Sequence, residues 1–180
     1  MAVTATISTR ERILATAAEL FARRGYSTAS LQDVADRLGI TKAALYYHFD
    51  SKDDILLTVL HPYFEAADAF LSAEAVRGPH ELLTSYMDLL LEHRTALDVI
   101  AFDRSVLNHP EIGEIAHRQT MRLQELLVGS PHTMEREVAA AAALGAVRSA
   151  TALVKNSSEP IVRSAVLQAA LAALDTGVRP

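Results

Sequence analysis

Cysteine and tryptophan are absent from this chain of 180 residues. Without a thiol the chain forms no disulfide, no thiolate metal site and no cysteine nucleophile, and the reducing cytoplasm is the expected compartment. Long apolar runs are also absent. The longest uncharged run, residues 138–147, stops at Arg148 after about half of the ~20 residues that a membrane span needs. The N-terminus shows no apolar block behind a basic start, so neither a secretory signal nor membrane contact is expected.

Glycine and proline are scarce, with seven and six residues, whereas alanine occurs 31 times. This composition favours helix over strand and predicts an all-α fold. The net charge of −5 argues against indiscriminate binding to nucleic acid, but the charge is unevenly spread. Residues 1–55 contain seven basic and seven acidic side chains, and the remaining 125 contain ten and fifteen. A neutral N-terminal part on an acidic body can therefore still contact DNA.

Breaks that contain proline or glycine divide the apolar periodicity into about nine helices. The expected segments are 9–24, 30–39, 42–49, 51–67, 79–94, 96–107, 110–128, 132–156 and 160–176, with Thr9, Ser30, Thr41 and either Asp50 or Ser51 as N-caps. Pro62 lies inside the fourth segment. Because proline lacks an amide donor and clashes with the carbonyl four residues back, we expect a kink there.

A four-residue turn with a glycine, residues 38–41, joins the second and third helices, which is the outline of a helix-turn-helix. A third helix of eight residues spans about 12 Å, close to the ~12 Å width of the DNA major groove. Leu45 and Phe49, one turn apart, are expected to face the core. The same turn also occurs in plain helical hairpins, and adjacent tyrosines also occur as half-buried packing residues.

The side chains of the third helix suit contact with DNA. Lys42 lies in the first turn, where a recognition helix meets base edges, and Ala43 is small enough to contact a thymine methyl group. Donors that suit phosphate oxygens are carried by Tyr46, Tyr47, His48 and Lys52. Ser30 and Thr41 are helix caps and further phosphate candidates, since helix N-termini attract anions.

Several short strings resemble the N-terminal domain of the TetR/AcrR transcriptional regulators over about residues 9–57. They are Arg-Ile-Leu at 12–14, Gly-Tyr at 25–26, Leu-Gly-Ile at 38–40 and above all Leu-Tyr-Tyr-His-Phe at 45–49, followed by Lys52. The resemblance implies an all-α protein with an N-terminal three-helix helix-turn-helix head, residues 1–50, on a C-terminal helical bundle for effector binding and dimerisation, residues 51–180.

Carried over position by position, the resemblance also implies individual DNA contacts. Base or phosphate contacts are implied for Gln32, Lys42 and Ala43, and phosphate contacts for Ser30, Thr41, Tyr46, Tyr47, His48 and Lys52. Many members of the family have threonine at the position of Ala29, so one hydroxyl contact is missing here. Beyond about residue 57 only the architecture is similar, and the effector is not implied.

A regulator that reads a palindromic operator must be two-fold symmetric, so a homodimer is expected. The last two helices supply small residues for close approach and larger apolar residues for buried area. The candidate interface is Ala139, Ala143, Ala146, Ala150, Leu153, Leu167, Leu171 and Leu174. The alternative is that this small-residue stripe packs inside one subunit.

The middle helices carry enough aromatic and sulfur surface for an apolar cavity. The candidate ligand-binding residues are Tyr63, Phe64, Tyr86, Met87, Phe102 and Met121, with Asp103, Arg104 and His117 as possible polar anchors. Plain core or solvated surface is the alternative for each of them. A ligand that wedges the fourth helix at Pro62 would tilt the head and change the spacing of the paired heads.

An enzyme and a binding module without DNA contact are the two rival classes. Glu114 and His117, with His109 and Glu111 nearby, resemble one limb of a helical di-metal site, but the second limb is missing from the sequence. We therefore expect no catalytic residue, metal or cofactor. The expected function is that of a cytoplasmic regulator, by family habit a repressor, which a small, largely apolar effector releases from its operator.

Overall fold

The computed structural model describes residues 7–73, 78–130, 132–154 and 156–176. Within these residues the chain forms helices and no strand, which confirms the all-α prediction. The α-helices are α1 Thr9–Arg24, α2 Leu31–Leu38, α3 Lys42–Tyr46, α4 Lys52–Ala73, α5 Pro79–Glu92, α6 Arg94–Phe102, α7 Pro110–Val128, α8 Met134–Leu153 and α9 Pro160–Thr176. A 3-10 helix, Arg104–Asn108, lies between α6 and α7. None of these described helices is both long and apolar enough to cross a membrane.

The first helix is capped one residue earlier than expected. The N-cap is Ser8 and not Thr9, because Glu11 stands three residues after Ser8 and completes a capping box. The Ser8 hydroxyl oxygen accepts from the Glu11 amide at 3.2 Å, and a Glu11 carboxylate oxygen accepts from the Ser8 amide at 2.7 Å. Two amide groups that the helix itself leaves unpaired are thus satisfied.

The third helix is shorter than the predicted 42–49. After Tyr46 the chain tightens, since the amides of His48 and Phe49 both donate to the Leu45 carbonyl, at 3.0 and 3.1 Å. Leu45 and Phe49 are buried as expected. The predicted helix over 96–107 is also wrong. It is split at Asp103, which leaves the helical conformation and caps the 3-10 helix through its side chain.

The buried apolar residues form two cores, and α4 contributes residues to both. The first core joins α1, α2, α3 and the N-terminal half of α4 to α6, the 3-10 helix and the start of α7. The second core joins the C-terminal half of α4 to α5, α7, α8 and α9. Ile55 and Leu60 of α4 belong to the first core, and Ala67 and Leu71 belong to the second. The expected boundary after residue 50 thus falls between α3 and α4, while the first core extends across it.

Candidate DNA-binding face and internal pocket

The turn between α2 and α3 is fixed by backbone geometry. Gly39 adopts the left-handed conformation, with φ 66° and ψ 32°, and its amide donates to Asp36 at 3.2 Å. The Ile40 amide donates to the Ala35 carbonyl at 3.1 Å, which closes the end of α2. Thr41 then opens α3, because its hydroxyl oxygen accepts from the Ala44 amide at 3.1 Å. The direction of α3 relative to α2 is thereby set.

Replacement of Gly39 by alanine tests this turn. A Cβ at residue 39 would meet nothing within 4 Å, so the only cost is the left-handed backbone. We expect Gly39→Ala to lower the free energy of unfolding by about 1 kcal/mol or slightly more in urea denaturation. Gly39→Asn is the matched control and should lose less, because asparagine tolerates this conformation. If Gly39→Ala is as stable as the unsubstituted chain, residue 39 does not need the left-handed backbone conformation.

One face of α3 is buried and the opposite face is open to solvent. Leu45 is fully buried, whereas Tyr46 and Tyr47 are 47% and 86% exposed. Lys42 and Ala43 are exposed beside them. The Lys42 ammonium lies 5.8 Å from the Tyr46 ring centroid and makes no ion pair within the described part of the chain. The exposed face thus presents one cation, one methyl group and two phenol hydroxyls to a partner.

The polar residues of α2 that the sequence assigns to DNA also have partners within the head. The Ser30 hydroxyl donates to an Asp33 carboxylate oxygen at 2.5 Å, and Ser30 caps α2. These hydrogen bonds from Ser30 hold the pKa of Asp33 below its usual value. The Gln32 side-chain amide donates to Asp36 at 2.6 Å. Both Ser30 and Gln32 stay exposed, and their contacts with DNA stay predictions.

Lys52, at the start of α4, stabilises the head through contacts with the turn before α2. Its ammonium donates to the carbonyls of Tyr26 and Ala29, at 2.7 and 2.9 Å, and lies 4.2 Å from the centroid of the Tyr26 ring. The Tyr26 hydroxyl in turn donates to Asp53. The sequence suggests only a phosphate contact for Lys52, and it misses this structural task, since the turn before α2 and the start of α4 meet only in the fold. One ammonium hydrogen remains for a phosphate.

A cavity of about 330 Å³ lies between α4, α5, α6, α7 and α8. Its volume is at the lower end of the ~300 to 1,000 Å³ of small-molecule sites. Three of the predicted ligand residues line it, namely Tyr63, Phe64 and Tyr86, and so does Arg104. The remaining lining residues are Ala67, Phe70, Leu71, Leu89, Leu90, Leu97, Ile100, Ala101, Leu107, Ala116, Gln119, Thr120, Leu123, Arg148, Ser149, Ala152 and Leu153.

Three other predicted ligand residues lie elsewhere. Met87 is fully buried in the second core, on a face of α5 that does not line the cavity. Phe102 and Met121 are 59% and 45% exposed, and neither lines this cavity. Of the predicted polar anchors, His117 is exposed on α7 away from the cavity. Met87, Phe102 and Met121 each directly follow a residue that lines the cavity. The periodicity of a helix that is apolar on two sides does not distinguish such neighbours.

The polar part of the cavity is built around Arg148 of α8. Its Nε donates to the Tyr86 hydroxyl, and its Nη2 donates to the Thr120 hydroxyl at 3.0 Å. Burial is the main reason why the pKa of the Tyr63 phenol is raised, so this tyrosine stays neutral. Arg148 interrupts an alanine-rich helix and resembles an ordinary solvated charge, so no pattern in the sequence marks it as a cavity residue.

Asp103, another predicted anchor, connects the body to the head. One carboxylate oxygen accepts from the Ser27 amide at 2.7 Å, in the turn between α1 and α2, and the other accepts from the Ser105 amide at 3.0 Å. Hydrogen bonds from Ser105 and Ser27 hold the pKa of Asp103 well below its usual range. A Cβ at residue 25 would lie 3.1 Å from the same carboxylate, so this position favours glycine. Asp103 therefore joins the α6 wall of the cavity to the base of α2.

The residues of the metal-site rival do not converge. Within the described ranges no three His, Asp or Glu side chains lie close enough to hold a metal ion. Glu111, Glu114 and His117 are exposed along α7. His109 is partly buried at the start of α7, and its Nδ1 has no hydrogen-bond partner.

The predicted dimer residues differ in burial and form three sets: buried, partly buried and exposed. Ala139 and Ala143 are 5% and 0% exposed, because α8 buries them inside this chain. Ala146, Ala150, Leu167, Leu171 and Leu174 are partly buried against the second core, and Leu153 is 77% exposed. Ala139 and Ala143 therefore pack inside one subunit, which is the alternative given for this stripe above. The small residues of α8 that are exposed to solvent include Ala141, Ala142 and Gly145.

Residues 13–59 match the family described as bacterial regulatory proteins, tetR family. An uncharacterized HTH-type transcriptional regulator of Bacillus subtilis, YerO, is 28% identical over 143 residues, which are 72% of this chain and 50% of that protein. The HTH-type transcriptional repressor KstR2 of Mycolicibacterium smegmatis is 38% identical over 119 residues, 66% of this chain and 53% of the repressor. The chain thus spans about half the length of these curated relatives.

Solved structures extend the similarity to the whole fold. A TetR/AcrR-family regulator of Thermobifida fusca is 28% identical, with a TM-score of 0.55 over 95% of this chain and 98% of that one. The ketosteroid transcriptional regulator KstR2 of Mycobacterium tuberculosis is 16% identical and shares the fold, with a TM-score of 0.74 over 94% and 95%. The head motif, its curated relatives and the fold agree: residues 13–59 belong to the TetR family of bacterial regulatory proteins, and the described fold is similar to that of solved TetR/AcrR regulators.

Proposed function

We propose that this chain is a cytoplasmic, homodimeric transcription repressor, and not an enzyme, that reads a palindromic operator and leaves it when a small, largely apolar effector fills the internal cavity. The observation that carries the DNA part is the exposed face of α3. That face places Lys42 and Ala43 at the first turn, with Tyr46 and Tyr47 beside them, on a helix whose direction is fixed by Gly39 and Leu45. A relative named as a transcriptional repressor supports repression rather than activation of transcription.

The length of α3 agrees with a contact of limited extent. Five residues of helix span about 7.5 Å, so base readout is confined to the first turn. The exposed hydroxyls of the following turn then lie toward the phosphates on either side of the groove. We therefore expect few base contacts per head and a strong dependence of affinity on salt.

The exposed faces of α8 and α9 support the homodimer. From residue 138 to the end of α8, and from the start of α9 to residue 172, no exposed position of these helices carries a charge. Val138 and Leu153 of α8 and Ile161 of α9 are 64%, 77% and 78% exposed. An uncharged face of small and branched residues on two neighbouring helices is suited to a self-complementary interface. The proposed dimer surface is this exposed face, which includes Leu153.

Two connections can transmit occupancy of the cavity to the head. The first is α4, which lines the cavity with Tyr63 and Phe64 and contributes Ile55 and Leu60 to the first core. The hinge at Pro62 stays a prediction on this route. The second is Asp103, at the end of the α6 wall. An effector that loosens operator binding five- to 150-fold would supply a coupling of ~1 to 3 kcal/mol.

Selection of bound fragments from random double-stranded DNA tests the proposal. The purified chain, at moderate salt, should enrich one sequence with two-fold symmetry, and two chains should bind each duplex in light-scattering measurements. Footprinting should then show two half-sites about one helical turn apart, or a multiple of it. If no sequence is enriched at any salt concentration at which the chain stays folded, the rival binding module without DNA contact is favoured.

A further inference from the structure

No acidic side chain among the described residues that line the cavity balances its positive charge. The lining residues include two arginines, Arg104 and Arg148, and no aspartate, glutamate or lysine. Arg104 is exposed and Arg148 is partly buried. No ion pair with a carboxylate is formed by Arg148 within the described residues. Most charged side chains that are removed from water are paired, because an isolated buried charge is costly.

The guanidinium of Arg148 is oriented but not saturated. Its Nε–H points at the Tyr86 hydroxyl and one Nη2–H at the Thr120 hydroxyl. A guanidinium has five N–H donors, so three remain. The two neutral hydroxyls fix the plane of the group without neutralising it, and the ring of Tyr86 lies 5.6 Å from the guanidinium carbon.

Most of the remaining lining residues are apolar, and the other polar ones are Tyr63, Arg104, Gln119 and Ser149. Phe64, Leu71, Leu90, Leu97 and Leu123 line it and are at most 8% exposed. Among the lining residues, Gln119 contacts a carboxylate: its side chain donates to Asp68 at 2.8 Å, and Asp68 also lies 3.6 Å from Arg118. Asp68 is therefore already bound to other donors and does not balance Arg148.

We infer that the cavity binds an amphipathic carboxylate, with its carboxyl group on Arg148 and its hydrocarbon part among the leucines and phenylalanines. This inference rests on the proposed function, since it names the chemical class of the effector for the same cavity. A planar carboxylate fits the free edge of a guanidinium with two parallel hydrogen bonds, and it brings a negative charge opposite Arg148. The hydroxyls of Tyr86 and Thr120 are near enough to Arg148 to complete the oxyanion environment.

A neutral apolar molecule of the same length would fill the same volume and leave Arg148 unpaired. The difference between the two ligands therefore isolates the contribution of the charge. Hydrogen bonds to charged groups correspond to about ten- to one-hundred-fold in affinity. Octanoate and 1-octanol are a suitable pair, because they differ only in the head group and stay soluble below their aggregation range.

Isothermal titration of the full chain at pH 7 with octanoate and with 1-octanol tests the inference. We expect octanoate to bind at one site per chain, about ten- to one-hundred-fold more tightly than 1-octanol. Arg148→Met should reduce that ratio to about threefold or less, whereas Arg148→Lys should retain part of it. The control is Arg122→Met, which removes an exposed arginine of α7 that pairs with Glu125 outside the cavity, and it should leave the ratio unchanged.

Equal affinity for the two ligands, no binding of octanoate at millimolar concentration, or an unchanged ratio in Arg148→Met would each overturn the inference. If Arg148→Met does not fold, the ratio measured on the unsubstituted chain still decides. The titration contains no DNA, so its result is independent of the selection experiment. If octanoate does not bind but the selection yields an operator, the ligand inference is wrong and the proposed DNA-binding function is kept. If octanoate binds but no sequence is selected, the ligand inference is kept and the DNA-binding function is wrong.

Discussion

Lys42→Ala is expected to weaken binding to the selected operator by about five- to 150-fold, that is by about 1 to 3 kcal/mol. The reason is the position of Lys42 at the first turn of α3, exposed and without an ion pair in the described part of the chain. An ammonium that is free in the unbound protein and hydrogen-bonded to base edges in the complex contributes to the preference for one sequence. Fluorescence anisotropy with the operator and with a scrambled duplex measures both affinities.

The scrambled duplex distinguishes a base contact from a phosphate contact. Loss of a base contact lowers operator affinity much more than affinity for the scrambled duplex, whereas loss of a phosphate contact lowers both equally and flattens the salt dependence. Arg122→Ala is the control, since Arg122 lies on α7 in the body. Lys52→Ala is not a clean comparison, because Lys52 also anchors the carbonyls of Tyr26 and Ala29. Unchanged operator affinity in Lys42→Ala would remove the main support for base readout by α3.

Helix starts were predictable from the sequence where a local signal marks them. The bounds of α7 and α9 agree with the predicted 110–128 and 160–176, because Pro110 and Pro160 occupy first helical positions. Gly39 likewise marked the end of α2. Ends without such a signal were predicted less well. The end of α3 at Tyr46 is local, since the chain tightens onto the Leu45 carbonyl, but no glycine or proline marks it. The Asp103 side chain, where the predicted helix breaks, accepts from the Ser27 amide, which only the folded chain brings into reach.

Some features of the candidate site were also predictable from the sequence, and others were not. Exposure of Lys42, Tyr46 and Tyr47 follows from local periodicity once Leu45 is assigned to the core, and the structure places them so. The tasks of Lys52 and Arg148 do not follow from periodicity, since each depends on a partner 23 to 62 positions away. A charge that interrupts an apolar helix is a weak sequence signal, which becomes informative only when the missing counter-charge is visible in three dimensions.

Asp103→Asn is expected to destabilise the chain by about 1 to 2 kcal/mol at pH 7. Both carboxylate oxygens accept backbone amides, one from Ser27 and one from Ser105. An asparagine has a single side-chain oxygen, so one of these amides must face an NH2 group. The control is Asp98→Asn on the same α6, because the ion pair of Asp98 within the described residues is with Arg94 one turn away, and a partly exposed pair at this spacing contributes about 0.3 to 0.5 kcal/mol.

The pH dependence of this difference has a definite sign. The pKa of Asp103 is lowered in the folded chain, so its contribution is complete above the unfolded-state value of about 4 and is lost as the pH falls through the folded value. The stability gap between the unsubstituted chain and Asp103→Asn should therefore be constant from pH 7 to pH 5 and shrink below pH 4. Urea denaturation across this range measures it.

Hydrogen exchange at the Ser27 amide shows whether the contact links the body to the head. In the unsubstituted chain this amide is held by Asp103 and should exchange slowly for an exposed turn. In Asp103→Ala, which removes the acceptors of both amides, it should exchange faster, while amides in the middle of α9 keep their rates, because α9 belongs to the second core. If the Ser27 amide exchanges at the same rate in both proteins, Asp103 does not restrain the base of α2, and α4 with its hinge at Pro62 is left to carry the effect of a bound effector to the DNA-binding face.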